Sequence, residues 1–331
     1  MHRTLDAKHD RFPLSRPFRI SRGVKTAADV ITVTLREKDA VGRGEGVPYQ
    51  RYGENVESAL AALAEVRPAI EAGADRHALL SMLPPGAARN AIDCALWDLE
   101  ARRSGREVAA MIGAPSLGRV TSALTIGIDT PEQMESAARR LAGAPLLKIK
   151  VDASDPAAQI RAVRTGAPDA ALIVDPNESW DQAILEAMQP VLAEAGVDLL
   201  EQPVPACADA WLEGFVPDVP ICADESVHVA ADLATVAERY QLVNVKLDKA
   251  GGLTAALQLA HAARASGLGL MTGCMVSSSL SIAPALHIAR MSDFVDLDGP
   301  FWLLEDRPGG VKNDDGILVP PTAGFWGTSW D

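Results

Sequence analysis

The chain has 331 residues, of which 48 % are hydrophobic and 23 % are charged, and its formal net charge is −13. This length predicts two domains or one large α/β domain with additions, and the composition provides a sizeable core. The acidic balance, with no basic cluster, argues against nucleic acid and anionic membranes as partners. No segment is long and apolar enough for a membrane span, and Met1 to Arg19 is too charged for a signal peptide, so we expect a cytoplasmic protein.

Cysteines and histidines give no sign of a metal centre. The four cysteines, Cys94, Cys207, Cys222 and Cys274, lie far apart and are interpreted as reduced residues, not as a disulfide framework or a zinc site. The six histidines are scattered, and none has ligand spacing with a cysteine or another histidine. The sequence therefore predicts no histidine-based metal site.

The N-terminal part has the pattern of an α+β domain. Val30–Leu35 has the β-branched composition of a strand, and Asp39–Gly46 has the turn residues of a hairpin or meander. An apolar stripe from Ala91 to Leu99 predicts a helix, with Asn90 and Asp93 away from the stripe.

From Thr121 onward, short apolar strands alternate with amphipathic helices at a period of about 25 residues. Eight such strands favour a closed (β/α)8-type barrel over an open sheet. The strands are predicted at Ser122–Gly127, Leu146–Val151, Ala171–Asp175, Asp198–Glu201, Pro220–Asp224, Leu242–Leu247, Gly269–Cys274 and Phe294–Asp298. The predicted domains are thus the α+β domain at 1–118, the barrel at 119–300, and a segment at 301–331 that returns to the first domain.

The second predicted strand carries two lysines on one face. Lys148 and Lys150 alternate with apolar residues, and two neighbouring ammonium groups on a buried strand repel each other and resist desolvation. We therefore expect a lowered pKa for both, as a general base near neutral pH requires. Taken alone, the segment also fits an edge strand with a solvated polar face. Lys246 ends the sixth strand, across the barrel, so lysines from both sides would flank a substrate and move a proton between opposite faces of one carbon.

Acidic residues end three consecutive predicted strands, at Asp175, Glu201 and Asp224. The strands of a barrel end at one mouth, where three converging carboxylates would disfavour ionisation unless a cation compensates them. A hard divalent ion with oxygen ligands resolves the conflict, and Mg²⁺ fits best. The alternative is that each acid caps the helix that follows it.

The last predicted strand ends in a pair of carboxylates, Asp296 and Asp298, on one face. Such a pair suits a cationic group such as an α-ammonium. The alternative is a structural pair in the turn before Gly299-Pro300.

Several motifs together resemble the enolase superfamily and its muconate-lactonising subgroup. They are Lys148-Ile149-Lys150, the hexapeptide at 175–180, Glu201-Gln202-Pro203, the segment 223–226 and the segment 244–249. Within that subgroup the chain is most similar to the L-Ala-D/L-Glu (dipeptide) epimerases. This similarity covers nearly the whole chain and includes residues 48–54, 87–93, 273–275 and 296–300.

The resemblance implies a barrel with an α+β capping domain completed by the C-terminal segment, and one Mg²⁺ per subunit. It implies Lys150 and Lys246 as the acid/base pair. Asp175, Glu201 and Asp224 would be the metal ligands. The substrate-binding residues implied are Arg22 for a glutamate side-chain carboxylate, Thr125 and Lys148 in the pocket, and Asp296 and Asp298 for the dipeptide ammonium.

The predicted function is inversion of the α-carbon of the C-terminal residue of a dipeptide, by 1,1-proton transfer through an enolate. The predicted substrate is L-Ala-D/L-Glu from murein peptide turnover. Alternatives are a dipeptide epimerase with another side-chain preference, an o-succinylbenzoate synthase or cycloisomerase of the same superfamily, and a non-catalytic binding protein. Asp296 and Asp298 argue against a cycloisomerase, because a substrate without an ammonium gains nothing from them. The sequence leaves the oligomeric state open, a homo-oligomer included.

Overall fold

The computed structural model describes residues 3–327, and the predicted outer bounds at residues 1 and 331 lie outside this range. An antiparallel sheet begins the chain: β1 (Arg3–Ile20) and β2 (Gly23–Glu37) form a long hairpin, which β3 (Ala40–Gly46) extends. Four helices follow, namely α1 (Val56–Glu71), α2 (Arg76–Met82), α3 (Ala87–Ser104) and α4 (Val108–Met111). The predicted strand at 30–35 lies inside β2. β1 was not predicted, because most of its side chains are at least partly exposed and many are charged.

Three glycines let β3 approach α3 closely. A Cβ atom at Gly42, Gly44 or Gly46 would lie 2.1–2.2 Å from a carbonyl oxygen of the helix. Those oxygens belong to residues 95, 91 and 87, so every second strand residue meets every fourth helix residue. Because any side chain would collide with backbone, glycine is required at these positions.

The opposite side of α3 packs on the barrel through polar residues. Asn90 donates to Asp248 at 2.8 Å, and Asp93 accepts from the Thr254 hydroxyl at 2.6 Å. Asn90 and Asp93 were expected only to lie off the apolar stripe. Both are completely buried and join the two units of the chain.

Eight parallel strands form the barrel in chain order. They are β5 (Leu124–Ile126), β6 (Leu146–Lys150), β7 (Ala171–Asp175), β8 (Leu199–Glu201), β9 (Ile221–Ala223), β10 (Leu242–Val245), β11 (Gly269–Gly273) and β12 (Phe294–Asp296), preceded by the short β4 (Val120–Thr121). A hydrogen bond of 2.8 Å from the Ala123 amide to the Val295 carbonyl joins the first and last strands. The predicted barrel is confirmed, and each predicted strand overlaps an observed one.

Helices surround the barrel, but not every strand is followed by a helix. They are α5 (Pro131–Arg140), α6 (Pro156–Gly166), α7 (Gln182–Glu194), α8 (Leu233–Val236), α9 (Leu247–Ala250), α10 (Leu253–Ala265) and α11 (Ser279–Ala289). After β8 the chain forms two 3-10 turns, Ala206–Ala208 and Ala210–Leu212, where a regular barrel would have a helix. Among the helices of residues 3–327, none has the length and apolarity needed to cross a bilayer. All four cysteines are free.

The barrel interior is closed at its N-terminal end by an apolar layer, which we call the floor. It consists of Ala123, Leu146, Ile173, Leu199, Cys222, Leu242 and Met271, with Phe294 packed against them. Every strand, or for β5 the residue directly before it, contributes to this layer, as expected for a barrel filled by its own side chains. The floor leaves only the C-terminal mouth for a ligand.

The C-terminal segment returns to strand β4 and then to the α+β unit. Its strands β13 (Lys312–Asp314) and β14 (Ile317–Val319) pair with each other, and β14 also pairs with β4. Further on, the Trp326 indole donates to the Arg43 carbonyl at 2.9 Å, and the Gly327 amide donates to Asp98 at 2.8 Å. These contacts lie in the α+β unit.

Candidate active site

Strand periodicity builds the site directly above the floor. Each floor residue is followed two positions later, and therefore on the same face, by a residue of a second layer. That layer consists of Thr125, Lys148, Asp175, Glu201, Asp224, Asn244, Gly273 and Asp296. Lys150, Lys246 and Asp298 follow two positions further on. The structure thus brings the nine predicted site residues of the barrel to one mouth, and Arg22, the tenth, joins them from the β1–β2 hairpin.

Lys148 is the centre of the second layer. Its ammonium lies 2.6 Å from Glu201, 2.7 Å from Asp296 and 3.1 Å from Asp175. Burial alone would lower the pKa of Lys148, but these three carboxylates raise it well above its usual value. The predicted lowering is therefore wrong for Lys148, because the acids outweigh the desolvation.

Lys150 and Lys246 face one cavity from strands four positions apart in the eight-stranded order. Lys150 donates to Asp175, and Lys246 donates to Asp224 at 2.7 Å. Burial opposes the charge of Lys246, but Asp224 and Glu201 raise its pKa above the usual value. The edge-strand interpretation of residues 146–151 is wrong, since β6 lies between β5 and β7 and is buried along its length.

The acids at the ends of β7, β8 and β9 do not cap helices. Asp181, not Asp175, caps α7. The 3-10 turns that follow Glu201 and Asp224 begin after Pro205 and Val229. The capping alternative is therefore wrong for all three acids, which point to the barrel mouth and are buried.

These carboxylates fit a hard divalent cation. Glu201 Oε2 and Asp224 Oδ1 are buried and, within residues 3–327, accept no hydrogen bond; each lies 2.6 Å from a lysine ammonium, of Lys148 and Lys249 respectively. In the described part of the chain, no three acidic, histidine or cysteine side chains form a ready metal-binding group. The charges of these carboxylates are balanced here by Lys148, Lys246 and Lys249. Spare carboxylate lone pairs on three adjacent strand ends are the donor set that Mg²⁺ prefers, so Asp175, Glu201 and Asp224 could hold it.

Asp296 and Asp298 line the same cavity. Asp298 accepts hydrogen bonds from the Thr125 amide at 2.7 Å and the Trp302 indole at 3.3 Å. Burial and the neighbouring Asp296 raise the pKa of Asp298 to about 6, against the lowering effect of those hydrogen bonds. The Asp298 side chain does not cap the 3-10 turn that follows it, and its bond with the Thr125 amide joins this turn to β5; ammonium binding by the pair stays a prediction.

The tip of the β1–β2 hairpin lies over the mouth. Ser21 and Arg22 both donate to the Asn177 carbonyl, at 3.2 and 3.1 Å. The Arg22 guanidinium also pairs with Glu225 at 2.7 Å and with Glu178 at 3.2 Å. Asn177 and Glu178 have φ angles of 47° and 66°, a conformation that costs energy for non-glycine residues and often occurs at functional sites. Arg22 is therefore in the predicted place, but it already has two acidic partners.

Among the residues that line the cavity, Phe18, Lys25 and Glu225 were not predicted from the sequence as site residues. Glu225 follows Asp224, and strict alternation would turn it away from the mouth. β9 ends at Ala223, however, so alternation no longer applies. Phe18 and Lys25 are cross-strand partners near the hairpin tip, and only the docking of the hairpin brings them to the barrel.

Comparisons with known proteins agree with this geometry. Residues 3–113 match the mandelate racemase / muconate lactonizing enzyme N-terminal domain, and residues 132–329 match the enolase C-terminal domain-like family. The L-Ala-D/L-Glu epimerase of Escherichia coli (strain K12) is 48 % identical over 96 % of this chain and 99 % of its own.

Two solved structures are also similar. One is an enolase family member from Agrobacterium tumefaciens with homology to dipeptide epimerases, with bound sodium and L-Ala-L-Glu. It is 44 % identical, has a TM-score of 0.96, and the match covers 98 % of this chain and 99 % of that one. The other is a dipeptide epimerase from Methylococcus capsulatus complexed with Mg and L-Arg-D-Lys, 33 % identical with a TM-score of 0.89 over 97 % of each chain. The chain therefore belongs to the mandelate racemase / muconate lactonizing enzyme family of the enolase superfamily, and within it to the isomerases that act on amino acids and their derivatives.

Proposed function

We propose that this protein epimerises the dipeptide L-Ala-D/L-Glu in murein peptide metabolism, in an Mg²⁺-dependent reaction that uses two lysines. The observation that carries the proposal is the position of Lys150 and Lys246, which line one cavity from facing strands. The activity of the Escherichia coli relative, at 48 % identity, supports the substrate.

The two lysines would act on opposite faces of the substrate α-carbon. One, as the free amine, takes the α-proton; the other, as the ammonium, returns a proton to the opposite face. Asp175 and Asp224 accept hydrogen bonds from Lys150 and Lys246 and so orient the two amino groups. Exchange of roles between the lysines reverses the direction of the reaction.

Negative charge develops on the substrate carboxylate as the α-proton leaves. We propose that Asp175, Glu201 and Asp224 hold one Mg²⁺ per subunit, which supplies positive charge beside that carboxylate. Lys148, paired with Asp175 and Glu201, adds a second positive group at the same place. Oxygen ligands on three rigid strand ends support this assignment.

The ammonium and the glutamate side chain of the dipeptide would bind at different sides of the mouth. Asp296 Oδ1 is buried and has no hydrogen-bond partner in residues 3–327, which suits it to accept from the substrate ammonium. Asp298 adds a second carboxylate, and Thr125 lines the same cavity from β5. Arg22 stays the proposed partner of the glutamate side chain, although its ion pair with Glu225 must then be shared.

The alternatives make different demands on the same cavity. A cycloisomerase or o-succinylbenzoate synthase substrate has no ammonium for Asp296 and Asp298 to bind. A dipeptide epimerase of another specificity would keep these aspartates and both lysines, and would differ only in the side-chain pocket. A cytoplasmic location and a homo-oligomeric state stay predictions.

Isotope exchange tests the two-lysine proposal. In heavy water, wild-type protein with Mg²⁺ should introduce deuterium at the glutamate α-carbon of both L-Ala-L-Glu and L-Ala-D-Glu. The loss of the α-proton signal in ¹H NMR measures this exchange. EDTA should abolish this exchange, and added Mg²⁺ should restore it. Lys150→Ala and Lys246→Ala should each stop epimerisation, because a proton must be both removed and returned.

The two variants should differ in the exchange they retain. Exchange without inversion needs only the lysine on the same side of the α-carbon as the proton. Each variant should therefore keep exchange for one epimer and lose it for the other, and the two variants should keep it for different epimers. If both variants kept exchange for the same epimer, the lysines would not flank the carbon. If wild-type protein exchanged neither epimer, the proposed substrate would be wrong.

A further inference from the structure

Lys25 is an ammonium in the cavity wall that lacks an acidic partner. It lies on β2, lines the cavity with its cross-strand partner Phe18, and is held 4.7 Å from the centre of the Tyr49 ring. Within residues 3–327 it forms neither an ion pair nor a hydrogen bond with a side chain. Burial lowers the pKa of Lys25 and Arg22 adds to the lowering, while Tyr49 and the more distant charges of Asp29 and Asp248 oppose it.

Other cations at the mouth are already neutralised. Arg22 lies between Glu225 at 2.7 Å and Glu178 at 3.2 Å, and Arg51 forms two hydrogen bonds with Glu178, at 2.7 and 2.8 Å. The formal charges of these two arginines and two glutamates cancel. A substrate carboxylate entering this wall would therefore meet no net positive charge without Lys25.

Lys25 reaches the cavity from the α+β unit and not from a barrel strand. The barrel strands supply the lysines and acids of the reaction, while Lys25, Arg22 and Tyr49 come from the hairpin and loop that cover the mouth. A partly buried cation with no counter-ion is costly, and an anionic ligand removes that cost.

We propose that Lys25 binds the side-chain carboxylate of the dipeptide's glutamate beside Arg22, whose charge is shared with Glu178 and Glu225. The inference rests on the proposed function and names the residue that gives it its preference for an acidic side chain. Lys25 is thus assigned as a specificity-determining residue, outside the proton-transfer machinery.

The test compares two substrates that differ only in side-chain charge, L-Ala-L-Glu and L-Ala-L-Gln. Lys25→Met should lower kcat/KM for L-Ala-L-Glu about 10- to 100-fold, the effect expected for one charge-assisted hydrogen bond, and chiefly through KM. The value for L-Ala-L-Gln should stay within about twofold, as no charged contact is lost. If the glutamine peptide is not turned over, its inhibition constant against L-Ala-L-Glu takes the place of KM.

Two further variants complete the design. Lys25→Arg should retain most of the glutamate preference, since it keeps the charge. Lys8→Met, on the neighbouring strand, removes an exposed lysine that pairs with Asp10 at 3.0 Å and should change neither substrate. If Lys25→Met lowered kcat/KM equally for both peptides, or left the preference for L-Ala-L-Glu unchanged, the inference would be overturned. The proposed function would still hold in that case, provided that the wild-type protein turns over L-Ala-L-Glu. A wild-type protein that failed to turn over L-Ala-L-Glu would overturn both.

Discussion

Glu178 connects the two loops of the α+β unit to the barrel, and its removal should release them. Its carboxylate, at the end of β7, accepts two hydrogen bonds from Arg51 and one from Arg22, and also accepts from the Ala206 amide at 2.9 Å. The Glu178 side chain is only 8 % exposed, although its bonds with the two arginines are open to water on the arginine side. Glu178→Ala should therefore loosen the docking of the 49–54 loop and the hairpin tip.

The size of the effect follows from these contacts. The Arg51 side chain is 37 % exposed, so its pair contributes nearer to the 1 kcal/mol of exposed ion pairs than to a buried one. Leaving the Ala206 amide without an acceptor costs about another 1 kcal/mol. Together these give about 2 kcal/mol for local opening, which is about 30-fold in the opening equilibrium.

Hydrogen exchange measures this opening directly. The amides of Tyr52 and Gly53 donate within the loop, at 2.9 and 3.0 Å, and should exchange about 30-fold faster in Glu178→Ala. On the proposed assignment of Lys25 and Arg22 to the substrate side chain, KM for L-Ala-L-Glu should rise more than kcat falls, because the catalytic lysines stay in place. Glu194→Ala, which removes an exposed ion pair with Arg161, is the matched control and should change neither quantity. Unchanged amide exchange in Glu178→Ala, with a loss of global stability instead, would refute this account of the docking.

Two further predictions concern pH and packing. Because the pKa of Asp298 is raised to about 6, its negative charge is present above that pH and lost below it, so KM for L-Ala-L-Glu should rise as pH falls through about 6. Asp298→Asn should remove this pH dependence of KM. A wild-type KM that stays constant from pH 5 to 8 would contradict the prediction. Gly44→Ala would place a Cβ atom 2.2 Å from the Ala91 carbonyl and 2.6 Å from the Ala95 amide, and should destabilise the protein by about 1–3 kcal/mol in urea unfolding; an unchanged midpoint would show that β3 moves freely away from α3.

The sequence was most informative where side chains alternate along buried strands. The two-residue period placed Lys148 two positions above the floor residue Leu146, and the same period placed Asp175 above Ile173. Charged residues at regular positions in apolar segments are costly to bury. They could therefore be assigned to the mouth of a barrel without knowledge of its neighbours.

Contacts between distant segments could not be predicted in this way. The pKa of Lys148 depends on carboxylates from three other strands, and two of these lie more than 50 positions away along the chain. β1 has the polar pattern of an exposed strand, and Lys25 becomes part of the site only when the hairpin docks on the barrel. Docking depends on shape and on partners such as Glu178, which a single sequence does not reveal.

The origin of the charges divides the site into two parts. Lys148, Lys150 and Lys246 stand on barrel strands and each has an acidic partner there, so their positions depend on the sheet. Lys25 stands on the hairpin, which packs on Met275 of the barrel through Ala28 and Val30, and within residues 3–327 Lys25 forms no ion pair with a barrel residue. A substitution on the hairpin can therefore change the charge offered to a side chain without moving the groups that transfer the proton. Because residues on loops and hairpins tolerate change better than those in a closed sheet, we expect substrate preference to change through position 25 and its neighbours while the proton-transfer chemistry stays constant.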